Sequence, residues 1–156
     1  MKRIITLLLA LSPLLLMAQG ASRVSLNGSW TFGIDPVKIG EQNGWYTADF
    51  VSAGFDKVQV PHCFSVDKRY FFYTGTAWYF KPFNQPVPAP GYRTFLHFDA
   101  VFYKTKIWLN GQLAGEHEGG YTPFEIEVTK LLKEKNILAV SVNNAWDTTT
   151  IDRKSV

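Results

Sequence analysis

The chain has 156 residues, 46% hydrophobic, 15% aromatic and 19% charged, which excludes a disordered chain. Its 12 Gly and 8 Pro make turns frequent and exclude a long-helix bundle. The formal net charge of +3 falls to +1 once Lys2 and Arg3 are set aside, because 16 basic residues become 14 against 13 acidic, and a body so near neutrality has no electrostatic footprint for nucleic acid.

Lys2 and Arg3 precede an apolar run from Ile4 to Met17, broken by Thr6, Ser12 and Pro13. The run is short for a hydrocarbon core. Cleavage after Gly20 places small residues, Gly20 and Ala18, at the last position and two before it. Residues 1–20 are therefore expected to be a secretory signal peptide, with a retained membrane anchor as the alternative, and the protein to be periplasmic or secreted. No cysteine sits near the cleavage region, so lipid attachment there is excluded. The single cysteine, Cys63, makes no intramolecular disulfide, so the remaining domain must rely on its own core.

From residue 21 onward, alternation with period two dominates. Asn27-Gly28 carries the chemistry of a tight turn, and Trp30-Thr31-Phe32 follows as a strand. Val58 and Val60 alternate with Lys57 and Gln59, and Ala77 to Phe80 form the next strand. Asn84 to Gly91 carry Pro86, Pro88 and Pro90, which cannot donate a full ladder, so this is a surface connection. Leu96, Phe98 and Ala100 alternate with Phe95, His97 and Asp99. Lys106 to Leu109 form another strand, and Asn110-Gly111 closes a hairpin. Gly119-Gly120 is a flexible corner. Ile126 and Val128 alternate with Glu125 and Glu127. Thr129 to Lys135 is expected to be one or two helical turns, capped by Thr129 and pinned by Leu131 and Leu132. Leu138, Val140 and Val142 alternate with Ala139, Ser141 and Asn143. Seven or more short strands with one short helix predict an all-β sandwich of jelly-roll form.

The candidates for chemistry are few. Glu116 with Glu118, and Glu125 with Glu127, stand two apart, so each pair shares a strand face with Cα atoms about 6.5–7 Å apart. Solvated strand faces account for both pairs, since glycosidase acids oppose each other across the sugar from separate elements. His62, His97 and His117 lack metal-ligand spacing, so no metal site is expected. His97 is expected to be exposed and His62 to make a structural hydrogen bond. Cys63 follows His62, and adjacent residues on extended chain point apart, which argues against a Cys–His nucleophile. Trp30, Trp78 and Trp108 lie inside strand patterns and belong to the core. Tyr73 and Trp146 lie in irregular segments, where an aromatic ring either faces a ligand or folds back on the core. With Asp147 beside Trp146, they are the carbohydrate-binding candidates.

Seven strings occur in a recognisable order: Leu26-Asn27-Gly28-Ser29-Trp30-Thr31-Phe32, Val60-Pro61-His62, Tyr73-Thr74-Gly75-Thr76-Ala77-Trp78-Tyr79, Phe98-Asp99-Ala100-Val101, Ile107-Trp108-Leu109-Asn110-Gly111, Glu116 to Phe124, and Asn136 to Asn144. Together, over about residues 24 to 147, they resemble the N-terminal sugar-binding domain of glycoside hydrolase family 2, the β-galactosidase, β-glucuronidase and β-mannosidase family. The Glu116-to-Glu125 string is most similar to the β-glucuronidase branch. Phe80 stands where the family carries a basic residue, and the aromatic after the His62 motif is displaced to Phe64. The resemblance implies a galactose-binding-like jelly roll at residues 21–156 that lacks its last strand. It also implies an immunoglobulin-like domain and a barrel beyond Val156, the barrel holding both catalytic glutamates. The family's substrate-contacting loop is absent or cut at Asp152 to Val156. This chain is thus expected to be a non-catalytic wall of the sugar pocket, without a cofactor, whose partners are a β-linked glycoside and the missing barrel. A free-standing carbohydrate-binding module and a truncated, non-functional gene product are the alternatives.

Overall fold

The computed structural model describes residues 22–50 and 53–145. Among the described residues eight strands are present: β1 (Gly28–Asp35), β2 (Asp56–Val60), β3 (Thr76–Asn84), β4 (Phe95–Phe98), β5 (Lys104–Leu109), β6 (Gln112–Glu118), β7 (Phe124–Glu127) and β8 (Lys135–Asn143). Six form one antiparallel sheet in the order β2-β1-β3-β8-β5-β6, and β4 pairs with β7 in a second. The result is an all-β sandwich, as the alternation predicts. β6 is the strand that alternation left out. Its stretch Leu113-Ala114-Gly115 carries no clear apolar period, and a register irregularity opposite Ile107 and Trp108 breaks it further.

The inner face of the large sheet is aliphatic over its centre. Leu138, Val140 and Val142 of β8 and Ile107 and Leu109 of β5 meet Leu96, Val128 and Leu132 from the side of the small sheet, with Trp30 in the same cluster. This follows from period two: alternate residues of paired strands share a face, so one apolar set closes against another. Over β1 and β3 the same face is covered differently. There Phe32, Phe64 and Ala77 pack with the partly buried Tyr70, Tyr73 and Tyr79, so the irregular chain between β2 and β3 forms the lid.

The outer face departs from the expected in-and-out pattern. Ala139 and Ser141 of β8 are buried, as are Trp78 and Phe80 of β3 and Trp108 of β5. Their cover is the segment between β1 and β2, which lays Trp45, Tyr46, Phe50 and Phe55 across them. Tyr46 stacks on Trp108 at 5.2 Å, Trp45 meets Trp78 edge-on at 6.0 Å, and Phe50 lies 5.3 Å from Phe80. Asp35 ties this segment down. Only 2% exposed, its carboxylate accepts the backbone N–H groups of Ile39 (3.0 Å) and Gly40 (2.8 Å) and the indole N–H of Trp78 (3.2 Å). A buried carboxylate is tolerated because its lone pairs are occupied. Gly40 is required for the close approach: a Cβ there lies 2.5 Å from Trp78 Nε1 and 2.7 Å from the Trp45 ring.

Turn chemistry explains most connections. Asn110 (φ 54°) and Gly111 (φ 82°) make the β5–β6 hairpin, both in the left-handed region that this turn demands. Asn27-Gly28, by contrast, makes no hairpin; Gly28 is the first residue of β1 and pairs with Val60. The proline-bearing stretch joins β3 to β4 without regular structure.

The predicted helix at Thr129–Lys135 does not form. Leu131 N and Leu132 N both bond Val128 O in a single turn, and Lys135 already opens β8 opposite Asn84. Two side chains decide this. The Thr129 hydroxyl accepts Thr94 N at 2.9 Å instead of capping. Buried Asn136 accepts Lys133 N at 2.8 Å and donates to Lys133 O at 2.6 Å, turning the chain straight into the sheet. Asn110 completes the network, donating to Leu131 O and Asn136 Oδ1 while accepting Ile137 N. Such local side-chain bonds compete with a helix for the same backbone groups. The helical turn among the described residues is instead a 3-10 turn at Phe64–Val66.

Candidate functional site

One end of the sandwich gathers the chain that enters β3 and the chain that leaves β8, where Thr76 pairs with Asn143; the chain that leaves β2 starts from the other end, where Val60 pairs with Gly28, and runs back to it. His62 turns inward after Val60 and Pro61, and its Nδ1 hydrogen-bonds the Tyr79 hydroxyl at 3.0 Å, the structural role expected of it. Burial holds the imidazole pKa below its ordinary value, opposed by the charge of Asp67. Burial likewise pushes the Tyr79 phenol upward, with the nearby Cys63 adding to it. Cys63 itself is exposed, so the two neighbouring side chains diverge as extended backbone requires.

The next residues form a braced loop. Arg69 meets Asp67 at 2.7 Å and Asp56 at 2.9 Å. The Tyr70 hydroxyl donates to Asp56 Oδ2 at 3.0 Å, and its ring stands edge-on to Phe32 at 5.5 Å. Burial and then the Asp56 carboxylate raise the Tyr70 pKa. Tyr73, the binding candidate within the described residues, turns back on the core: its hydroxyl donates to Thr76 O at 2.7 Å and its ring meets Phe64 at 6.2 Å. Burial is the main cause of its raised pKa. The other two candidates, Trp146 and Asp147, lie outside the described residues.

Asn144 joins the loop to the end of β8, a role no sequence motif announced. Its Oδ1 accepts Gly75 N at 2.8 Å, its Nδ2 donates to Tyr73 O at 3.1 Å, and its own N–H donates to Gly75 O at 3.2 Å. At the tip of that loop, Phe71 and Phe72 stand exposed. Two successive phenylalanines in a segment without strand period were the available signal for them.

A shallow depression of about 470 Å³ on the outer face reaches the same end, with Thr76 and Asn143 on its rim. Its charges neutralise one another. Lys106 bonds Glu41 at 2.8 Å and approaches Glu116 at 3.8 Å, while Lys104 lies 3.8 Å from Glu118. Glu116 and Glu118 are therefore a solvated, ion-paired strand face, as spacing alone suggested. Glu125 bonds exposed His97 at 3.0 Å, and Glu127 pairs with Arg93, which lowers its pKa. The inward neighbour His117 stacks on Phe124 at 3.9 Å. Among the described residues, no group of three His, Cys, Asp or Glu side chains is placed to hold a metal ion.

Comparison with known proteins fits this architecture. The sequence pattern of "Glycosyl hydrolases family 2, sugar binding domain" matches residues 56–155. A β-galactosidase of Thermoanaerobacter pseudethanolicus is 34% identical over 121 residues, covering 72% of this chain and 16% of that protein. A β-glucuronidase of Streptococcus agalactiae is 31% identical over 141 residues, covering 87% of this chain and 22% of that protein. Among solved structures, a Ruminococcus gnavus β-glucuronidase superposes with a TM-score of 0.75 at 28% identity, over 82% of this chain and 22% of its own. A Lactobacillus rhamnosus β-glucuronidase gives 0.71 at 35% identity, over 78% and 21%. The chain spans about a fifth of the length of these relatives. Its strand pattern, its sandwich and these matches agree that it belongs to glycosyl hydrolases family 2, as the sugar binding domain.

Proposed function

We propose that this chain is the exported, non-catalytic sugar-binding domain of a family 2 glycosidase, packing beside a catalytic barrel and forming one wall of its sugar pocket. The observation that carries the reading is the match to one domain of relatives about five times as long. The site chemistry agrees with it. Retaining glycoside hydrolysis needs two carboxyl groups about 5–5.5 Å apart across the scissile bond, one able to hold a proton. Among the described residues, six surface carboxylates are paired with cations: Glu41 and Glu116 with Lys106, Glu118 with Lys104, Glu127 with Arg93, and Asp56 and Asp67 with Arg69. For Asp67 and Glu127 the arginine partner lowers the carboxyl pKa, which makes each a poor proton donor.

The expected result is that the purified chain turns over neither a chromogenic β-glucuronide nor a β-galactoside. Hydrolysis above a heat-treated control overturns the proposal. Export is checked by the intact mass of protein recovered outside the cytoplasm, which should correspond to a chain starting at Ala21. A free-standing carbohydrate-binding module is the second reading. It is favoured by the core, which closes on both faces of the large sheet within the described residues.

A further inference from the structure

The loop between Val66, at the end of the 3-10 turn, and β3 combines a clamped base with an uncovered tip. On one side Arg69 and Tyr70 are anchored to Asp56. On the other, the Tyr73 hydroxyl is anchored to Thr76 and its carbonyl to Asn144. Between these anchors Phe71 is 61% and Phe72 91% exposed, their rings perpendicular with centroids 4.9 Å apart. Slack loops shed large apolar residues or bury them; apolar rings displayed on a rigid base mark a binding surface, because little ordering entropy remains to be lost on binding.

Size and chemistry choose the occupant. Two phenyl rings at these exposures uncover on the order of 300 Å². That is below the ~600 Å² at which interfaces between domains begin, and it suits a small ligand. A pyranose ring offers an apolar face of C–H groups that packs flat on an aromatic ring while its hydroxyl groups stay at the rim. Lys68 and Thr74, both exposed and polar, bracket the pair in sequence. The family to which the chain belongs is described as sugar binding. We infer that Phe71 and Phe72 are a stacking platform for one pyranose ring of a β-linked glycoside, Phe72 giving the face and Phe71 supporting its edge. This rests on the sugar-pocket reading and names the residues through which this loop contributes to it.

The test titrates the purified full chain with methyl β-D-galactoside and methyl β-D-glucuronide, followed by ¹H–¹⁵N NMR. Saturable shifts centred on Phe71 and Phe72 are expected at millimolar sugar. Phe72→Ala should weaken binding about fivefold or more, and Phe72→Trp should restore it, with amide dispersion outside the loop unchanged in both variants. Equal affinity in Phe72→Ala, or no shift with either sugar, overturns the platform. So does self-association of the wild-type chain that Phe72→Ala abolishes, since the rings would then be a protein contact. Hydrolysis by the chain alone would sink the non-catalytic reading and leave the platform standing; sugar binding indifferent to Phe72 does the reverse.

Discussion

The two faces of the six-stranded sheet are both buried, but by different means. The inner face is aliphatic over its centre and meets the small β4–β7 sheet. The outer face is aromatic and is covered by chain that has no strand of its own among the described residues, 36 to 50 and 53 to 55. Two sheets share a repeat, so branched aliphatic chains interdigitate row by row. An irregular segment has no repeat to match. It covers a sheet by laying a few large rings flat or edge-on, each burying ~150–250 Å². Trp45, Tyr46, Phe50 and Phe55 do this, and the Asp35 carboxylate supplies the polar anchor that rings cannot.

The largest expected effect comes from removing the shared ring of the outer face. Trp78→Ala deletes a side chain that contacts Trp45, Phe80 and Trp108 and donates to Asp35. It should cost about 3–5 kcal/mol in urea unfolding. A loss below about 1 kcal/mol would show that the outer cover contributes little. Gly40→Ala comes next, because its methyl group has to displace Trp78 or Trp45. The cost expected is about 1–3 kcal/mol, with the near-ultraviolet tryptophan signal altered while far-ultraviolet strand content is kept. An unchanged aromatic signal would contradict the packing described for this face.

A smaller effect separates the inner face's second lid from both. Burial lowers the His62 pKa below 6.5, so the folded state prefers the neutral ring. The unfolded chain then binds a proton first as the pH falls. Stability is full above pH 6.5 and declines as pH drops toward the lowered folded value. His62→Gln should flatten this slope just below pH 6.5 while leaving Trp78-dependent stability unchanged. Urea midpoints measured across that range decide it. The smallest effect belongs to the outer rim. Lys106→Gln breaks exposed pairs with Glu41 and Glu116 and should cost about 0–1 kcal/mol, shrinking further in high salt.

The inner core is largely legible in the amino-acid sequence. Alternation places Leu138, Val140, Val142, Ile107 and Leu109 on strands, and Asn110-Gly111 marks its hairpin correctly. The helix expected at Thr129–Lys135 fails because spacing and a capping residue say nothing of Thr94 or Asn110, which come from distant parts of the chain and bond Thr129, Leu131 and the following Asn136. The outer cover is illegible for a related reason. Residues 36 to 55 carry aromatic rings without period, and their value depends on a flat partner that exists only once β3, β5 and β8 are paired. At the loop end, Tyr73 can be singled out by its irregular setting, but not which way it turns. The acceptor for its hydroxyl, Thr76 O, settles that.

What the amino-acid sequence determined by itself was the all-β class, the strand positions other than β6 and the family, because period two, turn dipeptides and ordered motifs are properties of the chain itself. What only the tertiary structure decided was which side chains meet across long separations: the aromatic cover over β8, the Asn110–Asn136 network, and the Asn144 clasp on Tyr73 and Gly75. Those depend on distance in space, and an unpaired chain holds no record of it.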